Sequence, residues 1–207
     1  MRYGVICLLL PLIVSGWIHV ALYRGSTQLI IPDGSSTVLI RREDTAAFIG
    51  TPSSAWGIEE MSGLLSTYGP QRVDLVLSSS VNPAHMALIT AAVQQTQPQI
   101  AAFMSDQVAL LPYLPDTVRS VPSEEVEIAL FGDVRITNAS QCTLIEAGGI
   151  RILKLHTGYG IIDRELTQNL DVIISPQGQV HNISGRVSQI TADGYVSITI
   201  PPSGIEA

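Results

Sequence analysis

The sequence predicts one α/β domain behind a single apolar N-terminal segment, on three observations. Residues Gly4–Leu22 form an uncharged run; VDLVL at Val73–Leu77 leads through a serine-rich loop into a helical pattern; and the last third alternates short β-rich runs with turn clusters. Of the 207 residues, roughly 180 remain beyond the apolar segment, an ordinary size for one core. Apolar residues make up 46% and charged residues 14%, a balance that excludes a disordered polymer.

The formal charge is -7, and the 11 Lys and Arg are scattered. Their adjacent pair, Arg41-Arg42, is followed at once by Glu43-Asp44. No basic stripe exists to neutralise phosphates, so direct electrostatic binding of nucleic acid is disfavoured. Cys7 lies in the apolar segment and Cys142 far along the domain, which gives no disulfide framework.

Gly4–Leu22 (GVICLLLPLIVSGWIHVAL) would span about 28 Å as a helix, the thickness of a bilayer core. Arg2 and Arg24 flank it, and Tyr3, Trp17 and Tyr23 suit the two interfaces. Ser15-Gly16 falls too early for a small-residue cleavage site, so an uncleaved anchor over residues 1–24 is favoured over a cleaved signal that would release the domain. Pro11 is tolerable in a membrane helix, and His19 reads as interfacial. The very short N-terminal tail places residues 25–207 outside the cytoplasm, with the membrane as a partner through the anchor.

The domain opens with strands at Thr27–Ile31 and Thr37–Arg41, separated by the turn cluster Pro32-Asp33-Gly34-Ser35-Ser36. Gly57–Tyr68 carries Ile58, Met61, Leu64 and Leu65 at helical spacing. Val73–Leu77, a helix from about Pro83 to Gln95, and a strand at Gln99–Met104 form a βαβ crossover. After a proline-punctuated connection come strands at Val126–Phe131, Val134–Thr137, Cys142–Glu146 and Ile150–Leu155, the last two joined by Gly148-Gly149. A short helix is expected at Asp163–Asn169 and a buried strand at Leu170–Ser175. The β-rich tail, with strands at Gln179–Ile183, Arg186–Ile190 and Tyr195–Ile200, is expected to form a meander.

In this order, hairpin, helix, VDLVL-SSSVNPAH, ITNASQCTLIEAGGIRIL and NLDVIISPQGQ, the chain resembles the metallo-β-lactamase fold. Within it, the nearest resemblance is to the C-terminal domain of ComEC-type DNA-uptake channel proteins, over about residues 25–179. The resemblance implies an αβ/βα sandwich of two mixed sheets with helices outside. It also implies a domain that follows a membrane segment directly and lies outside the membrane. In that family an asparagine–serine pair precedes a strand, a GG hairpin and a glycine–aspartate corner, and Asn138-Ala139-Ser140, Gly148-Gly149 and Asp171-Val172-Ile173 fall in the corresponding places.

The departures concern the metal. Where the family carries an HxHxDH loop, this chain has Ser80, Asn82, Ala84 and His85, so one ligand type survives. Tyr159 follows Gly158 at the glycine–aspartate corner, and Pro176-Gln177-Gly178 replaces a histidine pair. Independently of the family, a zinc hydrolase needs three nitrogen, sulfur or carboxylate ligands around an open position. The domain has His85, His156 and His181 with no His-x-His or Cys-x-x-Cys spacing. His85 therefore reads as structural, and neither a catalytic set nor a metal cofactor is expected.

Other constellations are weak. Ser78-Ser79-Ser80 lacks a nucleophile elbow and reads as a capping loop. His156 could serve as a general base but fits better as a satisfied strand-end histidine. Asp33-Gly34 is a turn, Glu59-Glu60 a solvated helix start, and the glycine pairs lack phosphate-loop spacing. Asn138-Ala139-Ser140 and Asn182-Ile183-Ser184 match the glycosylation pattern, a short motif that recurs by chance. The expected function is a membrane-anchored, extracytoplasmic, non-catalytic binding or structural module with an envelope protein partner, related to DNA uptake. The alternative is a residual metal-dependent hydrolase of nuclease or esterase type.

Overall fold

The computed structural model describes residues 25–50, 55–68, 72–78, 86–103, 114–122, 127–158, 162–192 and 194–202. The N-terminal segment and the loop holding Ser80, Asn82, Ala84 and His85 lie outside them. Among the described residues no helix is long and apolar enough to cross a membrane.

The chain order is β1 (Thr27–Pro32), β2 (Val38–Arg42), β3 (Thr45–Ile49), α1 (Ala55–Tyr68), β4 (Arg72–Leu77), α2 (Met86–Thr96), β5 (Ile100–Phe103), β6 (Arg119–Pro122), β7 (Glu127–Leu130), β8 (Val134–Asn138), β9 (Cys142–Ala147), β10 (Ile150–Leu155), β11 (Val172–Ile174), β12 (Val180–Asn182), β13 (Ser188–Ala192) and β14 (Tyr195–Ile200). One sheet runs β13-β14-β1-β2-β3-β4-β5-β6 and the other β12-β11-β10-β9-β8-β7. Both are mixed: β3 to β6 are parallel neighbours within an otherwise antiparallel first sheet, and β10 and β11 are the parallel pair of the second. Val73–Leu77 lies inside the first sheet, between β3 and β5.

The inward positions of both sheets interdigitate, with Leu29, Ile31, Val38, Ile40, Ile49, Leu75 and Leu77 meeting Ile136, Ile145, Ile152, Val172 and Ile174 in one apolar core. That contact between the two inner faces is what makes the molecule a sandwich. Met61 of α1 and Ile89, Ala92 and Val93 of α2 cover the outer face of the first sheet, on Ile30, Leu39, Phe48 and Val76. On the outer face of the second, Cys142, Leu144 and Leu153 are covered by Ile162, Leu166 and Leu170. Helices thus lie outside the first sheet, as the sandwich reading requires. The coverage of the second comes from turns.

Three expectations need correction. Asp163–Asn169 is a run of turns, with Leu166 N–H donating to Asp163 O and Thr167 N–H to Arg164 O, and no helix forms. Two apolar anchors, Leu166 and Leu170, suffice to dock it, whereas a helix of one or two turns has little stability of its own. The tail does not form a meander: β12 joins the second sheet beside β11, while β13 and β14 return to the first, where β14 pairs with β1 from Thr27↔Ile200 to Pro32↔Tyr195. The core requires Ile198 and Ile200 to close the first sheet over Leu29 and Ile31, and a local meander would leave that edge open. Finally, β3 and β6 are strands that the residue pattern does not announce.

One end of the sandwich is closed by Arg42. It donates from Nε to Thr27 Oγ1 at 3.1 Å and from a terminal nitrogen to Phe131 O at 3.1 Å, and it pairs with Asp133, so a charge from one sheet clamps the β7–β8 turn of the other. The opposite end carries the C-termini of β3, β4, β5, β10 and β11, and forms the mouth.

Candidate functional site

At the mouth the inward row of the second sheet changes from apolar to polar. Ile136, Ile145 and Ile152 face the core, and two residues further toward the mouth the same face carries Asn138, Thr143 and Lys154. These three lie side by side, since Asn138 pairs with Thr143 and Thr143 with Lys154, while Ile174 completes the row on β11. All three polar residues are buried. His156 follows just beyond β10, its N–H donating to Gln141 O at 2.9 Å.

Thr143 Oγ1 donates to Asn138 Oδ1 at 2.7 Å and lies 2.7 Å from His156 Nε2. On the other side of the ring His156 Nδ1 faces Ser140 O at 3.3 Å, so the imidazole is held between Thr143 and a backbone carbonyl. Burial pushes the imidazole pKa down to about 4, with the neighbouring Lys154 ammonium acting in the same direction and the Ser140 carbonyl opposing both. The ring is therefore neutral near pH 7, and Thr143 holds its orientation. This fits the satisfied strand-end histidine expected from sequence.

Lys154 is 2% exposed. No described residue gives its ammonium a hydrogen bond or a carboxylate, and burial alone lowers its pKa to about 8. Its stem runs to Gly50, at the end of β3, where a Cβ would stand 3.3 Å from Lys154 Cε and 2.1 Å from Ser36 O. Gly50 also has φ 110, a conformation that L side chains rarely adopt. Gly50 N–H donates to Leu77 O and Ser78 N–H to Ala102 O, which fixes the strand ends around the mouth. The loop after β11 closes against the β1–β2 turn: a Cβ at Gly178 would meet Pro32 O at 2.7 Å and Ser35 O at 2.9 Å.

Of the residues singled out in the sequence, His156 reaches this row and Ser78 lies buried at the end of β4. His181 is exposed on β12 beside Ile173, which belongs to the outer face. Asn138 is fully buried and bonded within the row, so it is no glycan acceptor. Asn182 uses its side chain locally, donating to Val187 O and accepting from Gly185 N–H. Lys154 escaped the sequence reading, yet a signal was present. In IRILKL the inward positions are Ile150, Ile152 and Lys154, and a lysine at an inward strand position is the exception that marks a site.

No protein-family model and no curated protein matches the chain. Among solved structures it is similar to zinc-bound PqqB from Methylobacterium extorquens, at 13% identity and TM-score 0.51, over 72% of this chain and 70% of that one. It is also similar to the apo chemotaxis sensor ODP from T. denticola (13%, TM-score 0.51, 77% and 90%) and to a metallo-β-lactamase from Hirschia baltica (12%, TM-score 0.51, 76% and 89%).

Zinc is the metal this fold suggests, and the mouth is where the strand ends would present it. The donors in the row that ends at His156 are one imidazole, one carboxamide, one hydroxyl and one ammonium, and among the described residues no three His, Cys, Asp or Glu come together. A tetrahedral zinc site needs three nitrogen, sulfur or carboxylate ligands, and a buried ammonium beside the imidazole repels a dication. The described residues do not fit the metal. The two mixed sheets, the outer helices and the structural neighbours together show that the chain has the metallo-β-lactamase fold.

Proposed function

We propose that this chain is a membrane-tethered, extracytoplasmic module that uses the metallo-β-lactamase fold for binding, without catalysis, as a companion of an envelope system such as DNA uptake. The observation that carries the reading is the Lys154 ammonium beside neutral His156, a cation and a fixed hydrogen-bonding chain at the mouth. A fold shared with hydrolases says little about chemistry once its ligands are replaced. One of the similar structures is a chemotaxis sensor, so the fold also serves proteins described as sensors. The uncharged run Gly4–Leu22 supports the tether, and the ComEC resemblance supports the setting.

The test uses the full chain in detergent with zinc, manganese or iron added, assayed against single-stranded DNA, a phosphodiester and a simple ester. The reading expects no turnover above buffer with metal. Turnover that disappears in His156→Ala or His85→Ala would establish the residual hydrolase instead.

A further inference from the structure

We propose that the mouth of the sandwich binds a small molecule through its carboxylate, seated on the Lys154 ammonium between Gly50 and the Asn138–Thr143–His156 chain. The inference rests on the binding reading above and names the ligand chemistry of that site.

Four observations support it. First, Lys154 is 2% exposed and occupies a position where its strand otherwise places isoleucine, yet no described residue neutralises or hydrogen-bonds it. A buried cation without a partner is costly, and the cost is removed when an anion binds beside it. Second, the row beside it is already engaged internally: Asn138 Oδ1 accepts from Thr143, and Thr143 Oγ1 is in hydrogen-bond contact with His156 Nε2. The ammonium thus keeps its three donors for a ligand.

Third, among the described residues no acid stands beside it as a counter-ion. The buried acid, Asp171, stands beside Arg151, three positions along β10 from Lys154, and is bound by Arg186. Fourth, the Thr37 hydroxyl, next to Ser36 at the mouth end of β2, is buried without a hydrogen-bond partner. This orphaned hydroxyl lies at the same end of the sandwich as Lys154.

The choice of carboxylate over phosphate follows from charge and donors. Among the described residues the mouth offers one ammonium and no arginine fork. The Gly50 and Ser78 amides are directed to Leu77 O and Ala102 O, so they cannot cradle a phosphate. One positive charge matches a singly charged head group.

The experiment titrates the detergent-solubilised full chain with sodium acetate, inorganic phosphate and sodium chloride at matched ionic strength. It reads the thermal midpoint, and the Lys154 titration by lysine side-chain NMR. Saturating acetate is expected to raise the midpoint by about 5 °C and to move the Lys154 pKa upward, with phosphate weaker and chloride without specific effect. Lys154→Met, which keeps the apolar stem, should abolish the acetate response. The NMR titration of the unaltered chain decides the matter if that variant does not fold. An acetate response equal to that of chloride, an unmoved Lys154, or a Met variant that responds like the parent would overturn the site; tighter phosphate binding would overturn the carboxylate. Metal-dependent turnover with an intact acetate response would overturn the non-catalytic reading alone.

Discussion

Thr143 on β9 and His156 just beyond β10 face each other across 2.7 Å between hydroxyl oxygen and ring Nε2. Thr143 Oγ1 also bonds Asn138 Oδ1 at 2.7 Å, so the three side chains form one connected row. Charging of that imidazole is opposed by burial and by Lys154.

The first prediction concerns acid. His156 has its pKa lowered from 6.5 to about 4, so between those values the unfolded chain takes up the proton and the folded chain does not. Stability should therefore fall as pH drops from 6.5 to 4, by at most on the order of 3 kcal/mol from this residue. Urea unfolding at pH 7, 5.5 and 4.5 measures it. His156→Gln should flatten that segment of the profile, and an equally steep profile in the variant would assign the acid sensitivity elsewhere.

The second concerns alkali. Lys154 is lowered from 10.5 to about 8, so between pH 8 and 10.5 the unfolded chain again holds the extra proton. Stability from this group should rise across that window, and Lys154→Met should be more stable than the parent at pH 7, by on the order of 2 to 3 kcal/mol. Chemical denaturation of both proteins at pH 7 and 9.5 checks both signs. A less stable Met variant would mean that the ammonium has a partner in the folded protein.

Two glycines give a third prediction. At Gly50 the backbone has φ 110 and a Cβ would come within 2.1 Å of Ser36 O; at Gly178 φ is 78 and the nearest approach is 2.7 Å, to Pro32 O. Gly50→Ala must displace backbone and should cost at least about 3 kcal/mol, with Gly178→Ala somewhat less. Gly149→Ala, with φ 74 but nothing within 4 Å, isolates the conformational part and should cost about 1 kcal/mol. Equal losses at the three positions would remove the close-approach argument.

The fourth tests the second sheet. Asp171 has a side chain 1% exposed and accepts from Arg186 Nε and a terminal nitrogen at 2.9 Å each and from Arg151 N–H at 2.9 Å, while the Arg186 side chain is 59% exposed. Burial raises the carboxyl pKa, but the Ser184, Arg151 and Arg186 interactions outweigh it and the net shift is downward. That contribution is present above pH 3.8 and is lost as pH falls through the lowered value. Asp171→Ala should destabilise by about 2 to 4 kcal/mol, since it orphans the Arg151 amide, and Arg186→Ala should cost less because that guanidinium is largely solvated. A larger loss from Arg186→Ala would reverse this assignment.

Much of the architecture was legible because its signals are local. IRILKL and YVSITI carry strand preference end to end and appear with the expected bounds, and Gly148-Gly149 turns the hairpin with both φ positive. The β4–α2–β5 crossover followed from a buried strand, a loop and a helical period. By contrast, β3 reads Thr-Ala-Ala-Phe-Ile, whose alanines have little strand preference, and it enters through Glu43-Asp44, where Glu43 takes φ 53 without a glycine to mark the turn. β6 ends at Pro122 on a sheet edge, where proline conceals a strand. The return of β14 to β1 depends on a pairing between opposite ends of the domain, which no window of sequence contains. At the site, His156 was visible as a residue type, whereas Lys154 became visible only once the parity of β10 was set against the core.

The central claim is that this mouth works without a metal. Elemental analysis of the full chain, purified without chelators, measures that directly. The account predicts well under one zinc, iron or manganese per chain, unchanged in Lys154→Met. About one metal per chain, lost on His85→Ala or His156→Ala, would contradict it.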